Sequence, residues 1–459
     1  MADLATHPVG QPLSSGAVQF GTDGIRGRVG TVMTPALALQ VGYWAGQVLP
    51  DAGPVLIGMD SRSSGPMLVS ALAAGLTAAG REVWDIGLCP TPAVARLVSH
   101  LQAAGGVMVS ASHNPPEDNG IKLFAGSGAK LNKQLQGAIE AGLRGEVRPA
   151  LTGCGATHQR HDLLSHYEGM LRQSLGSRRL QGRRIVLDLC WGSATACSAE
   201  LFRQLGAEVI ALHSQPDGTA INVRCGSTHL EPLRAAVLEQ GAELGFAFDG
   251  DADRVLAVDG RGRLVDGDHI LYLWGETLAA QNRLPEQLLV ATVMSNLGFE
   301  RAWKDRGGRL ERTAVGDQYV HAAMEEQGAA LGGEQSGHIL SAHHGMSGDG
   351  LLTALQLAVL LEPGETLADR RDRSFHSYPQ RLHNVRVPDR DRRRGWMQCQ
   401  ALVDAIAGAE AAMAGDGRVL VRASGTEPLL RVMVEAATQQ QVDHWTDQLV
   451  AVAERELND

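Results

Sequence analysis

Cysteine is sparse in this sequence and is not set out for metal or disulfide chemistry. Six cysteines (Cys89, Cys154, Cys190, Cys197, Cys225, Cys399) are scattered over 459 residues without a two-spacer pair. That pattern reads as reduced, structural thiols of a cytoplasmic protein. No run of about 20 apolar residues occurs, which excludes a membrane-spanning helix and a membrane partner. Met1 to Gly16 is polar, carries Asp3 and lacks the apolar core of a signal peptide. Positive charge is short as well: 41 Lys and Arg stand against 51 Asp and Glu, a net charge of −10. General nucleic-acid binding, which leans on basic residues to neutralise phosphates, is therefore excluded. A small anionic partner is not, because a local basic pocket can sit in an acidic surface. Neither a G-x-x-x-x-G-K-[ST] loop nor a G-x-S-x-G elbow is present, so P-loop and serine-hydrolase chemistry lack their motifs.

What is abundant is glycine, with 55 residues lying mostly between apolar runs, as in a protein of many tight loops. The length suits roughly two to four domains. Thr34-Pro35 and Thr91-Pro92 each read as an N-cap with proline at the first helical position. Strands are expected at Pro54 to Met59, Glu82 to Ile86 and Val107 to Ser110, separated by helices, which implies a parallel sheet covered on both faces. The pattern returns with strands at 184–189, 208–212 and 244–248, and again at 288–293, 310–314 and 330–332. No residue-level identity links the blocks. Glu365 to Arg381, where periodicity fails and arginines crowd, reads as a linker. Beyond it, two adjacent strands (418–421 and 430–435) with flanking helices indicate an α+β domain. The expected fold class is α/β: three related α/β domains with mixed, mainly parallel sheets (1–160, 161–262, 263–372) and a C-terminal α+β domain (373–459).

Four loops carry polar chemistry, each after an apolar strand, where open α/β sheets place ligands. Ser110-Ala111-Ser112-His113-Asn114-Pro115-Pro116 delivers a serine into a turn. Unaided, a serine hydroxyl is a weak nucleophile, and the alternative is a turn serine bonded to its own backbone. In Asp249-Gly250-Asp251-Ala252-Asp253-Arg254, carboxylates at alternate positions project to one side. Hard oxygen donors so close favour Mg²⁺ or Ca²⁺, against a solvated acidic turn. An EF-hand fails because Arg254 and Gly260 stand where glycine and glutamate are needed. Gly332-Gly333-Glu334-Gln335-Ser336-Gly337-His338 suits sugar hydroxyls or is simply a polar surface loop. Arg422-Ala423-Ser424-Gly425-Thr426-Glu427-Pro428, with Arg431 following, can form an anion nest with arginine forks, or a plain hairpin turn. The pairs His343-His344 and His161 with His166 lack ligand-spaced partners and read as surface histidines; Trp191 reads as core.

Taken together, and with Phe20-Gly21-Thr22-Asp23-Gly24-Ile25-Arg26-Gly27, Asn119-Gly120-Ile121-Lys122 and Gly316-Asp317, these loops resemble the α-D-phosphohexomutase family from Phe20 to about Glu435. The resemblance implies four domains around a central cleft. It implies that Ser112 carries the phosphoryl group and completes a magnesium site with Asp249, Asp251 and Asp253, one Mg²⁺ per chain. Glu334 and Ser336 match sugar-contacting positions. Arg422, Ser424, Gly425, Thr426 and Arg431 match the site for the phosphate that is not transferred. The forms Gly-Glu-Gln-Ser-Gly-His and Asn222 followed by Cys225-Gly226-Ser227-Thr228-His229 look like the branch that acts on glucosamine phosphates rather than on mannose or glucose phosphates. One departure is visible: Cys190-Trp191-Gly192 stands where the family has alanine-asparagine-glycine.

The implied reaction moves phosphate from Ser112 to O1 of a hexosamine 6-phosphate, and back from O6 of the resulting 1,6-bisphosphate. Such a bisphosphate would also be the primer, and the product would feed UDP-N-acetylglucosamine and cell-wall synthesis. A phosphoserine adds roughly −1.5 to −2 to three ionised aspartates, so the nearby cations Arg26, Lys122 and Arg254 are needed. Proton transfer falls to Lys122, if its pKa is lowered, or to His338, with Arg26 as stabiliser. The family suggests a cytoplasmic homodimer. Two rivals are an aspartate-nucleophile phosphatase built on Asp251, since Asp251-Ala252-Asp253-Arg254-Val255 also fits D-x-D-x-[TV], and a sugar-phosphate sensor without turnover.

Overall fold

The computed structural model describes residues 19–21, 23–50, 53–150, 153–362, 364–424 and 428–458. The described chain divides into two compact units, one of residues 1–294 and 307–374, the other of residues 295–306 and 375–459.

The first unit contains three sheets. In the first, β1 (Ile25–Arg28), β2 (Val55–Met59), β3 (Val83–Leu88), β4 (Gly105–Val109), β5 (Asp118–Ala125) and β6 (Thr157–Gln159) take the order β1-β5-β4-β2-β3-β6. β2, β3, β4 and β6 run parallel, and the apolar runs of β2 and β4 are buried on both faces, as helix-covered parallel strands must be. The sheet is not wholly parallel, however. β5 returns antiparallel to β4 and pairs antiparallel with β1. Spacing missed β5 because Asn119, Gly120 and Lys122 interrupt its apolar pattern, although Asn119 and Lys122 are themselves buried. The helix Pro35–Val48 is capped by Thr34, whose hydroxyl accepts the Leu37 amide at 3.2 Å. It crosses the helix Gly65–Ala78 so closely that a Cβ on Gly75 would lie 2.0 Å from the Leu39 carbonyl oxygen.

The second sheet takes the order β11-β10-β9-β7-β8, from β7 (Arg184–Asp188), β8 (Glu208–Leu212), β9 (Leu244–Phe248), β10 (Val255–Asp259) and β11 (Leu264–Val265). β7 pairs parallel with β8 and β9, while β9 and β10 form an antiparallel hairpin. The third has β12 (Leu288–Thr292), β13 (Arg309–Thr313), β14 (Leu331–Gly333) and β15 (Ile339–Ser341), ordered β13-β12-β14-β15, with β15 antiparallel.

The expected linker contains a helix, Leu367–Ser374. Its crowded arginines are placed rather than free: Arg370 and Arg373 both bond Glu365, and Arg371 Nε donates to the Leu264 carbonyl at 3.0 Å. In the second unit, β16 (Gln380–Arg386), β17 (Gly417–Ala423) and β18 (Leu429–Ala436) form an antiparallel sheet, β16-β18-β17, packed on the helices Gln400–Met413 and Gln439–Asn458. The helix Leu297–Asp305 joins this unit, and the Leu297 amide donates to the buried carboxylate of Glu435 at 2.9 Å.

Candidate active site

The serine loop is the turn between β4 and β5. Ser112 is buried and holds a left-handed backbone (φ 52°), a conformation that needs external support. Arg62 gives that support. Its Nη2 donates to the carbonyls of Ser112 (2.9 Å) and Asn114 (2.7 Å), and its Nη1 to those of Asp118 (2.8 Å) and Pro115. The guanidinium is fixed in turn by Asp60, with Nε to Oδ2 at 3.0 Å and neither side chain exposed. Asn222 Nδ2 donates to the same carbonyls, of Ser112 at 2.8 Å and Asn114 at 3.0 Å. Sequence spacing found neither role, since both act through main-chain oxygens far away in the chain.

The hydroxyl so placed faces the acidic loop of the β9–β10 hairpin. Ser112 Oγ donates to Asp249 Oδ2 at 2.6 Å and lies 3.3 Å from His113 Nδ1. Partial burial of the His113 ring, with Arg254 and Arg26 close by, pushes its pKa down to about 4, so the imidazole is neutral at physiological pH. Asp249, Asp251 and Asp253 are all buried, and one ligand oxygen from each lies within 4.8 Å of the others. Burial and its two like-charged neighbours push Asp249 well above the usual carboxylate range. Asp251 Oδ1 and Asp253 Oδ1 are buried without a hydrogen-bond partner. Three carboxylates converging with orphaned oxygens are a donor set that fits Mg²⁺.

Cations surround this cluster. Lys122, delivered by β5, places Nζ 2.7 Å from Asp251, 2.8 Å from Asp253 and 3.1 Å from Asp23. Burial alone would lower its pKa, but the three carboxylates outweigh burial and hold it well above the ordinary lysine value. These carboxylates act against the lowered value that a lysine base needs. Arg26 pairs with Asp23 and reaches the Ala111 carbonyl at 3.3 Å. Arg254 donates its amide to Asp249 at 3.1 Å and brings Nε within 3.8 Å of Asp253. Lys130 bridges Asp23 and, at 2.5 Å, Asp317. Thr91, at the start of the helix Thr91–His100, bonds Asp251 through its hydroxyl and its amide.

The third loop turns from β14 into β15. His338 is buried, with Nδ1 3.7 Å from Asp253 and Nε2 3.5 Å from Asp317. Burial lowers its pKa and the two carboxylates raise it, with the carboxylates prevailing. Glu334 is buried and accepts the Gly316 amide at 3.1 Å, whereas Ser336 is exposed. Ser112, the three aspartates, Arg26, Lys122, Arg254, Glu334 and His338 all belong to the first unit. In the second, Arg422 and Arg431 are paired directly across β17 and β18, and so share a face. Ser424 is buried and donates its amide to the Leu429 carbonyl at 2.8 Å. Gly425 and Thr426 lie outside the described residues.

The chain matches the phosphoglucomutase/phosphomannomutase family in four segments: α/β/α domain I over residues 17–148, domain II over 165–262, domain III over 266–378, and the C-terminal domain over 382–452. It is 78% identical over 458 residues to a phosphoglucosamine mutase of Synechococcus sp. (strain RCC307), with 100% of both chains covered. The chain belongs to the phosphoglucosamine mutase family. A second member, from Prochlorococcus marinus (strain MIT 9303), is 66% identical across 100% of this chain and 99% of the relative. A crystal structure of a phosphoglucomutase/phosphomannomutase family protein from Burkholderia thailandensis superposes with a TM-score of 0.79 at 27% identity, over 95% of this chain and 97% of that one. Against the rival phosphatase stands the family match over the whole chain; in the structure Asp251 Oδ2 is held by Thr91 and Lys122. Among the described residues, no helix is long and apolar enough to cross a membrane.

Proposed function

We propose that the chain interconverts glucosamine 6-phosphate and glucosamine 1-phosphate through a phosphoserine at Ser112. The observation that carries this reading is the Ser112 hydroxyl, held in a left-handed loop and bonded at 2.6 Å to the first aspartate of a buried acidic triad. One magnesium ion per chain, held by Asp249, Asp251, Asp253 and Ser112, would supply charge neutralisation at the transferring phosphoryl oxygens. Lys122, Arg26 and Arg254 add fixed positive charge on the same side. Phosphorylated Ser112 donates to O1, and the 1,6-bisphosphate turns over before Ser112 recovers the 6-phosphate. Glu334 orients the sugar with Ser336, and His338, set between Asp253 and Asp317, carries the proton in preference to Lys122, whose contacts with Asp23, Asp251 and Asp253 favour its charged form. Arg422, Ser424, Gly425, Thr426 and Arg431 hold the phosphate that is not being transferred. A hexose 1,6-bisphosphate primes the serine. The product feeds amino-sugar nucleotide synthesis in the cytoplasm, and the enzyme works as a homodimer.

Intact-protein mass spectrometry with parallel rate assays tests this reading. Wild type should carry one phosphate that disappears in Ser112→Ala together with activity, and glucosamine 6-phosphate should turn over faster than glucose or mannose 6-phosphate. Full activity in Ser112→Ala would remove the serine mechanism. Binding without turnover, in the presence of Mg²⁺ and primer, would favour a sensor instead.

A further inference from the structure

The departure at Cys190-Trp191-Gly192 places a sulfur that the family pattern lacks directly beside Cys225. The two Sγ atoms stand 3.8 Å apart, and both residues are fully buried. Trp191 itself is only half-buried. Next to the sulfurs, Asp188, His213 and Cys225 bring one ligand atom each within 4.8 Å of one another. The backbone around them is bent to suit: Cys190, Trp191, His213, Asn222 and Arg224 all adopt positive φ, between 49° and 63°. Asp188 anchors the two turns by accepting the amides of Cys190 (3.0 Å) and Gly226 (2.9 Å), and it fixes His213 Nδ1 at 2.8 Å. The sulfurs are also confined, since a Cβ on Gly226 would lie 2.4 Å from Cys190 Sγ.

We propose that Cys190, Cys225, His213 and Asp188 form a second metal site, for a zinc-class divalent cation. Two thiolates on one tetrahedral zinc, each at about 2.3 Å, stand about 3.8 Å apart, which is the separation found here. A disulfide would require the same sulfurs to close to about 2.05 Å. Imidazole and carboxylate complete a soft-to-borderline donor set unlike the all-oxygen triad beside Ser112. The site is wired to the reaction centre. Cys190 Sγ donates to Asn222 Oδ1 at 3.1 Å, and the same amide group holds the Ser112 and Asn114 carbonyls. Metal binding removes the thiol proton that Asn222 accepts, and thereby alters a support of the serine loop.

The test uses reduced, full-length enzyme in excess Mg²⁺, titrated with Co²⁺ as a chromophoric probe. One equivalent per chain should develop near-ultraviolet thiolate-to-cobalt absorption, which Zn²⁺ then bleaches. Cobalt bound at the aspartate triad has no sulfur ligand and gives no such band. The double variant Cys190→Ala/Cys225→Ser should abolish the band. Cys190→Ala, which restores the residue the family carries, should weaken cobalt affinity about tenfold or more while leaving the far-ultraviolet circular dichroism unchanged. Absence of the band, its persistence in the double variant, unchanged affinity in Cys190→Ala, or a mass two hydrogens lower with no cobalt uptake would each overturn the site.

Discussion

Replacing Arg62 by methionine should damage catalysis more than any other substitution outside the reacting groups. Arg62 is 1% exposed and gives four main-chain hydrogen bonds to the 112–118 turn while paired with the fully buried Asp60. Methionine keeps an unbranched apolar stem but removes all of these and leaves Asp60 uncompensated. Breaking a buried ion pair from one side costs about 3–5 kcal/mol. The catalytic loss follows from position: a shift of ~1 Å in a reacting group can cost ~100-fold in rate, and the Ser112 segment would lose all four of its bonds from Arg62, one of them at Ser112 itself. Arg62→Lys should fall between, because its ammonium keeps charge beside Asp60 but lacks the planar fork that spans separate carbonyls. A pH signature separates this account from general misfolding. Burial already raises Asp60 against the pull of Arg62 and Ser110, and loss of Arg62 raises it further. An acid whose folded-state value is raised binds its proton more readily folded than unfolded, so protonation favours the native state. The destabilisation of Arg62→Met should therefore be largest above the folded value of Asp60 and shrink as pH falls through it. Urea midpoints and kcat/KM measured across pH check both effects. An Arg62→Met enzyme with unchanged midpoint and kcat/KM would refute the assignment.

Chelating Mg²⁺ should abolish phosphoryl transfer reversibly, with readdition restoring kcat; activity unaffected by exhaustive chelation would remove the metal role of the aspartates. Gly75→Ala must place a Cβ 2.0 Å from the Leu39 carbonyl oxygen, so overpacking should lower stability by about 1–3 kcal/mol, read as a lower thermal midpoint. His113 and His344 are both held near pKa 4, below the ordinary 6.5, by burial and neighbouring arginines. Their contribution to stability is present above pH 6.5 and is lost as pH falls toward 4; imidazole proton shifts for both should stay flat from pH 8 to 5.

The elements that spacing predicts well are those buried on both faces. β2, β9 and β12 read as short apolar runs because parallel or central strands have no solvent face to alternate with. β5 fails on the same logic. It is a central strand, yet it carries Asn119 and Lys122 inward, and buried polar residues look like a loop to any rule based on hydropathy. The aspartate triad shows in the local pattern as three carboxylates at alternate positions, whereas Ser112 by itself reads as a turn serine and stands out only through the resemblance; the structure brings the two together, with Ser112 Oγ at 2.6 Å from Asp249. Lys122 was legible as a candidate but not in its state, which is decided by Asp23, Asp251 and Asp253 from distant parts of the chain.

Arg62 marks the limit most clearly. Its partners are carbonyl oxygens, and every residue has one, so no side-chain pattern at 112–118 could announce that an arginine some fifty positions earlier holds the turn. The same reasoning explains why Asn222 was visible only as a family mark. Its amide reads main chain at Ser112 and Asn114. A sequence records which groups react through side-chain type, whereas the groups that hold a strained loop in place are specified through backbone contacts, and those exist only once the sheets have brought the segments together. Where a buried polar residue breaks an otherwise apolar element, as Lys122 does in β5, the break is the part of this support that a sequence can show.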